Sequence, residues 1–220
     1  MLNFNQFILL LKGLQLTLEI SILGMLAGSI IGIVIGFLRA SKNPIIKNIS
    51  RIYVEIFRGS PLLIQLFIIY YGLPILFDFN VSAFVTAFIA VTLYTSGYMA
   101  EVFKASIEAI SITQWESAYS LGLPYPVIAL QIILPQALKI ALPPAIGVLI
   151  LVIKDSSLAS VIGFTELTRM SNIVRAQTFT TFNVYAIAAL LYFIVCYAIS
   201  RLGNYLEKRI GGNEIHKINY

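Results

Sequence analysis

Long apolar stretches with few charged residues alternate with short polar connections along this chain. A helix that crosses the hydrocarbon core of a membrane needs about 20 mostly apolar residues. The stretches that meet or approach this length are about 8–38, 62–77, 81–103, 136–153 and 176–200. The pattern therefore predicts an all-α, polytopic membrane protein with about five transmembrane helices, folded as a single domain over residues 1–220.

The first candidate span carries a glycine at every fourth position. At helical spacing, Gly24, Gly28, Gly32 and Gly36 fall on one face. Small residues at this spacing let a second helix approach closely inside a membrane. The partner is either another helix of the same chain or a second subunit, and the sequence leaves both interpretations open.

Residues 45–57 place apolar and charged side chains on opposite faces of a helix, which predicts an amphipathic helix in the membrane interface. We expect Ser60 to cap the next helix and Pro61 to lie in its first turn. The fourth candidate span contains Pro143 and Pro144, so we expect a kink or a local break there. Such irregularity persists at membrane depth where protein or a water-filled cavity covers it, which points to a translocation path.

The segment 113–135 predicts two helices joined by a tight turn. Thr113 and Glu116 have the spacing of a capping box, so we expect the first helix to begin at Thr113. Gly122 suits the end of this helix, because glycine adopts positive φ freely. Two prolines follow within four residues and suit the first turn of the second helix.

Basic residues concentrate in connections that we assign to the cytoplasm. They are Arg39, Lys42, Lys47 and Arg51 after the first span, and Arg201, Lys208, Arg209 and Lys217 near the C-terminus. Because cytoplasmic connections carry an excess of Lys and Arg, we expect the N-terminus outside and the C-terminus and the 113–135 loop in the cytoplasm. The same bias accounts for the net charge of +5, so nucleic acid is not an expected partner.

Composition gives no support to enzyme chemistry in this chain. It is 59% hydrophobic and 11% charged, whereas soluble proteins average about 25% charged residues. Its one histidine, His216, and its one cysteine, Cys196, form no metal-ligand spacing, and no phosphate-binding loop occurs. We therefore expect no catalytic residues, no metal site and no cofactor bound by this chain.

The 113–135 segment resembles the EAA loop of ABC importer permeases, which docks on a separate ATPase subunit. The matching positions are Glu116, Ser117, Ala118, Gly122, Ile132, Leu134 and Pro135, and only Ser117 departs from the pattern. The flanking stretches YVEIFRGSPLLIQLF at 53–67 and LYTSGYMAEVFKASIEAI at 93–110 are similar to the polar amino acid branch of these type I importers. The resemblance covers roughly residues 50–168.

The resemblance implies a permease subunit in the inner membrane of a prokaryote. Its implied partners are two copies of an ATP-binding subunit, a second permease subunit that completes a homodimer or a pair, and an extracellular or periplasmic solute-binding protein. ATP and Mg²⁺ would bind the ATPase, whose movements would drive alternating access. The implied substrate is a polar amino acid.

The resemblance and the sequence of the loop together suggest which residues dock on the ATPase. They are Trp115, Glu116, Ala118, Tyr119, Leu121, Gly122 and Leu123. Exposed apolar and aromatic side chains on a cytoplasmic helix usually mark a binding surface. The alternatives are burial of the large side chains against the protein's own spans and a purely helix-capping role for Glu116.

A second group of residues suggests a substrate path. On the third span, Glu101 shares a face with Tyr94, Gly97 and Tyr98, and an ionisable group inside a span is by default a functional hypothesis. Asp78 and Asp155 are further path candidates in loops. The structural alternative is an ion pair between Glu101 and Lys104, three residues on.

The sequence does not identify the amino acid, although a carboxylate on the path favours a basic one such as arginine, lysine or histidine. Two rival functions are a secondary transporter or channel that works without an ATPase, and a membrane scaffold that moves no solute.

Overall fold

The computed structural model describes residues 3–41, 43–78 and 80–211, with side chains up to Arg209. Lys42, Phe79, His216 and Lys217 therefore lie outside the described residues. The described residues form no strand. They form helices α1 Phe4–Arg39, α2 Pro44–Gly59, α3 Leu62–Phe77, α4 Ala83–Glu108, α5 Ile112–Ser120, α6 Tyr125–Ile162, α7 Leu167–Thr178 and α8 Thr181–Gly211.

Four of these helices, α1, α4, α6 and α8, are long and apolar enough to cross a membrane. The pair α2 and α3 is bent by 97° at the break between its helices and makes a fifth candidate span if counted as one. The all-α, polytopic fold class predicted from the hydrophobic pattern is thus confirmed.

The glycine face of α1 packs against α4 of the same chain. Asn3 begins α1 with a capping box to Gln6, and the four glycines further along are all buried. A Cβ added at Gly32 would lie 2.5 Å from the Cβ of Met99 and 3.0 Å from backbone atoms of α4. Of the two interpretations of the glycine face, packing within the chain is the one that the structure shows.

The junction between α2 and α3 differs from the sequence prediction. Ser60 ends α2, with its hydroxyl donating to the carbonyl of Ile56 at 2.7 Å, and Pro61 precedes the first residue of α3 without a side-chain cap. The expected capping role of Ser60 is therefore wrong. The side chain of Gln65 holds the bend instead, because its Nε2 donates to the carbonyl of Phe57 at 2.9 Å.

Helix α2 forms as predicted and packs against α4 through a side that lies between its apolar and charged faces, and its place in the membrane interface stays a prediction. Ser50 and Val54 are buried, and Tyr53 forms a 2.7 Å hydrogen bond with Ser96 of α4. The isoleucines at 45, 49, 52 and 56 are exposed on the other side.

Helix α5 begins two residues before the predicted capping box. Ser111 is its N-cap residue and accepts a hydrogen bond from the backbone N–H of Thr113 at 3.3 Å, so the predicted cap at Thr113 with Glu116 is wrong. Serine and threonine are both preferred N-cap residues, and Ser111 is the one that stands directly before the first helical residue, Ile112. The end of α5 is as predicted, because Gly122 has a φ of +73° and its N–H donates to the carbonyl of Tyr119 at 2.9 Å.

Helix α6 unites the second loop helix and the fourth span. It starts at Tyr125 rather than near residue 136 and contains a π-helical turn at Ile128–Ile133. The α-helical part runs unbroken through Pro143 and Pro144, so the predicted local break does not occur. The fixed φ of proline is compatible with a helix, so the helix continues although each proline lacks a backbone N–H donor.

Candidate functional site

Helix α4 runs through the centre of the bundle, where it packs against α1, α2 and α6. Tyr94, Tyr98 and Glu101 follow one another at spacings of four and three residues, which places them on one helix face. We call these residues, with their partners Asp155, Arg58 and Arg39, the polar stripe.

The upper part of the polar stripe, by which we mean Tyr94, Tyr98 and Asp155, joins α4 to the end of the α-helical part of α6. The Tyr94 hydroxyl donates to Asp155 Oδ2 at 2.8 Å. The hydroxyls of Tyr94 and Tyr98 lie 3.3 Å apart, and their ring centroids are 4.8 Å apart. The structure thus brings together two predicted path residues, Tyr94 and Asp155, that lie 61 positions apart in the chain.

The lower part of the polar stripe, by which we mean Glu101, Arg39 and Arg58, is an ion cluster. Glu101 pairs with Arg39 of α1 through Oε2, and the same oxygen lies 3.1 Å from Nη1 of Arg58. The predicted alternative partner, Lys104, instead pairs with Glu108 at 3.2 Å, so that expectation is wrong. Arg39 and Arg58 compete successfully because the close packing of α1 and α2 on α4 brings their side chains to Glu101.

The charge of this cluster differs from that of a lone carboxylate. Two guanidinium groups and one carboxylate leave a formal charge of one positive unit. The Arg58 guanidinium also lies 5.2 Å from the centroid of the Tyr98 ring, within the range of a cation–π contact. Glu101 therefore orders two arginines rather than offering a free negative charge.

A cavity of about 350 Å³ opens beside the lower part of the stripe. Its lining residues are Arg58, Tyr98, Glu101, Val102, Ala105, Ser106, Ile140 and Pro144. Pro144 lies in this wall and Pro143 does not, and the helix is unbroken at both, so the predicted link between the proline pair and a translocation path stays a prediction.

The remaining two path candidates lie elsewhere. A Cβ added at Gly97 would lie 3.1 Å from Cγ of Arg58, so this glycine makes room for the stem of Arg58 and lies beside the stripe. Asp78 is exposed at the end of α3 in a left-handed conformation with a φ of 55°, and no contact with the stripe is seen among the described residues.

The predicted docking residues separate into buried and exposed groups. Ala118 is buried, while Trp115 and Leu123 are partly buried against the same apolar cluster. Trp115 stacks on Tyr125 of α6, with ring centroids 6.1 Å apart. The alternative of burial against the chain's own helices therefore holds for part of the predicted set.

The other docking candidates face outward. Leu121 is 77% exposed, and Glu116, Tyr119 and Gly122 are also exposed. Two further large side chains near this turn, Ile112 and Tyr125, are also exposed, and we call these two residues with Tyr119 and Leu121 the α5 patch. Sequence pattern did not assign Ile112 and Tyr125 to this surface, because their exposure depends on how α5 sits on α6.

Sequence reasoning also missed Arg39 and Arg58 as partners of Glu101, and it missed Glu166. Glu166 is fully buried and accepts from the backbone N–H groups of Thr168 and Arg169 at 2.7 Å, capping α7, and from the Tyr192 hydroxyl at 3.0 Å. The sequence carried little signal for this cap, because glutamate is not among the preferred N-cap residues and α7 is largely polar.

A family model described as "Binding-protein-dependent transport system inner membrane component" matches residues 28–212. The match covers most of the chain and includes the α5 patch and the polar stripe. This chain therefore belongs to the family of binding-protein-dependent transport system inner membrane components, and it is a multi-pass membrane protein.

Individual relatives narrow the class to amino-acid ABC transporter permeases. The arginine transport system permease protein ArtQ of Bacillus subtilis is 33% identical over 93% of this chain and 94% of the relative. The L-cystine transport system permease protein TcyB of the same organism is 35% identical over 90% of this chain and 85% of the relative. The chain is thus a permease subunit, and ATP hydrolysis belongs to a separate subunit.

A solved structure supports the same assignment. The chain superposes with a TM-score of 0.84 and 35% identity on a chain from a structure described as "Crystal structure of an amino acid ABC transporter with histidines". The match covers 95% of this chain and 99% of that one. The names of these three proteins differ in the amino acid that they mention, so they do not assign one substrate.

Proposed function

We propose that this permease subunit imports a polar amino acid along the polar stripe, driven by an ATPase subunit that binds the α5 patch. The observation that carries the proposal is the exposure of Leu121, 77% of its surface, on a short helix fixed to a membrane-spanning helix. An exposed apolar surface of this kind is typical of a protein interface.

The attachment of α5 suits it to transmit movement. Trp115 of α5 stacks on Tyr125 of α6, and Ala118 of α5 is buried in an apolar cluster that contains residues of α6. Packing therefore connects α5 to α6. The N–H of Leu123 donates to the carbonyl of Ala118 at 3.3 Å, which closes the turn with a second backbone hydrogen bond. A displacement of α5 by a bound ATPase would therefore move the cytoplasmic end of α6.

The polar stripe is the proposed path because it offers hydroxyl and charged groups inside an otherwise apolar bundle. Polar groups in a membrane protein are costly unless they pair with one another or face water. Tyr94 and Asp155 pair with each other, whereas Arg58 and Glu101 remain more than a third exposed beside the cavity. We assign Tyr94, Tyr98, Asp155, Glu101 and Arg58 to this path.

The proposed assembly contains two permease subunits, two ATPase subunits that hold ATP and Mg²⁺, and a solute-binding protein outside. The N-terminus would face outside and the C-terminus the cytoplasm, which places the basic ends of α1 and α8 inside, as the distribution of Lys and Arg favours.

Reconstitution into liposomes tests the proposal. We expect ATP-dependent amino acid uptake when the chain is combined with its ATPase and solute-binding protein, and none by the chain alone. Uptake by the chain alone would instead identify a secondary transporter or channel. Absence of uptake in every combination would favour a scaffold.

The substitution Leu121→Asp tests the docking surface. We expect it to reduce co-purification of the ATPase at least about tenfold, because an interface hot spot contributes about 2 kcal/mol or more. The control is Phe179→Asp, at an apolar residue that is 90% exposed between α7 and α8, outside the candidate spans. Retention of the ATPase by Leu121→Asp would contradict docking at this patch.

A further inference from the structure

The lower part of the polar stripe contains a guanidinium with unused donors. Arg58 contacts Glu101 through Nη1, and neither Nε nor Nη2 has a hydrogen-bond partner among the described residues. The side chain is 39% exposed and lines the cavity of about 350 Å³. Nε and Nη2 form the planar edge with which arginine binds a carboxylate through two parallel hydrogen bonds.

Neighbouring groups fix this edge in place. Glu101 holds Nη1 at 3.1 Å, and the Tyr98 ring lies under the guanidinium carbon at 5.2 Å. The absence of a side chain at Gly97 lets the stem of Arg58 lie against α4. A fixed guanidinium loses little conformational freedom when it binds a ligand, which increases the affinity that its hydrogen bonds provide.

The charge around the cavity also favours an anionic group. Glu101 is shared between Arg39 and Arg58, so the three groups together remain positive. The other charged groups nearby on α4, Lys104 and Glu108, pair with each other. The Glu101 carboxylate already contacts two guanidinium groups, so a cationic side chain would enter a positively charged cluster, whereas a carboxylate would find an unpaired guanidinium edge.

We propose that Arg58 binds the α-carboxylate of the transported amino acid, and that Glu101 positions Arg58 rather than recognising a cationic side chain. This inference rests on the proposed import function and defines the part of the substrate that the permease reads. The α-carboxylate is common to all amino acids, so this site selects amino acids as a class and leaves the side chain to other contacts.

The test uses the complex of the permease with its ATPase, in nanodiscs and without the solute-binding protein, so that the binding protein cannot impose its own selectivity. The twenty standard L-amino acids are screened by equilibrium binding. The amino acid that binds most tightly is then compared with its α-carboxamide, which keeps the side chain and the amino group but lacks the negative charge.

We expect the amide to bind about 10- to 100-fold more weakly than the acid, which is the effect of losing charged hydrogen bonds. Arg58→Gln should weaken binding of the acid by a similar factor and leave binding of the amide unchanged. Arg58→Lys should fall between, because lysine keeps the charge and loses the planar edge. The matched control is Arg51→Gln on the same helix, where Arg51 pairs with Glu55 at 2.7 Å and does not line the cavity.

Equal binding of acid and amide by the unmodified complex would overturn the assignment even if no variant folds. If no amino acid binds the complex while ATP-dependent uptake proceeds, the carboxylate site at Arg58 is contradicted and the proposed import function is still supported. If ATP-dependent uptake is also absent, both the carboxylate site and the proposed import function are contradicted.

Discussion

Two regions of this molecule, the α1–α4 contact and the α5–α6 turn, differ in how tightly their residues pack. The contact of α1 with α4 is closed, because glycines at every fourth position bring the two backbones together without room for a further atom. The turn from α5 to α6 is open on one side, since a Cβ added at Gly122 meets nothing within 4 Å and Leu121 beside it is exposed. A closed contact limits the fold, whereas an open surface is available to a partner.

The largest effect is expected where the closed contact is broken. Gly32→Leu would place a side chain into Met99 and into the backbone of α4, and we expect destabilisation of about 3 kcal/mol, at the upper end of the range for overpacking. The measurement is thermal melting of the purified protein in detergent. Gly147→Leu on α6 is the control, because a Cβ there meets nothing within 4 Å. An equal loss of stability in both variants would contradict the role of close packing.

At the open turn, Gly122→Asp should separate function from folding. Its left-handed conformation, with a φ of +73°, costs a non-glycine residue about 1–2 kcal/mol, and the new charge lies beside the proposed ATPase surface. We expect near-complete loss of ATP-coupled uptake with the protein still inserted in the membrane. Gly122→Asn is the control for backbone strain, and equal uptake by the two variants would show that the charge does not matter.

Glu101→Gln examines the end of the α1–α4 contact at which Arg39 of α1 pairs with Glu101 of α4. Loss of the carboxylate leaves Arg39 and Arg58 facing each other without their shared partner. We expect destabilisation of about 1 kcal/mol, because the pair is one-third exposed and partly screened. Uptake should fall by a similar factor for cationic and neutral amino acids. A loss confined to cationic amino acids would instead assign Glu101 to side-chain recognition.

The smallest effect concerns Glu166, in the connection between α6 and α7 outside the candidate spans. Burial raises the pKa of the Glu166 carboxyl above its ordinary value of 4.5. The folded protein therefore keeps a proton that the unfolded chain releases. This contribution to stability is full below about pH 4.5 and is lost as the pH rises through the raised pKa.

Melting in detergent between about pH 4 and about pH 7 measures this contribution. We expect the melting temperature of the unmodified protein to decrease over this interval more than that of Glu166→Gln, which carries no titrating group at this position. Parallel curves for the two proteins would show that Glu166 does not contribute to the pH dependence.

Local signals in the sequence were sufficient for the helical fold and for much of the α5–α6 turn. Hydrophobic length identified the spans, because a helix in lipid must satisfy its backbone internally over the full membrane thickness. Gly122 identified the end of α5, because positive φ is a property of the residue itself. Caps were less certain, since Ser111 and Thr113 both suit the role and only the path of the chain chose between them.

Tertiary structure alone decided the partners of Glu101. Its neighbour in sequence, Lys104, pairs elsewhere, and the arginines that bind it come from α1 and α2, up to 62 residues away. The physical reason is that charges pair by distance in space, and that distance was set by the glycine contact of α1 with α4 and by the 97° bend between α2 and α3. The sequence by itself determined a helical membrane protein and the turn at Gly122 between α5 and α6, whereas packing determined which charges face the cavity.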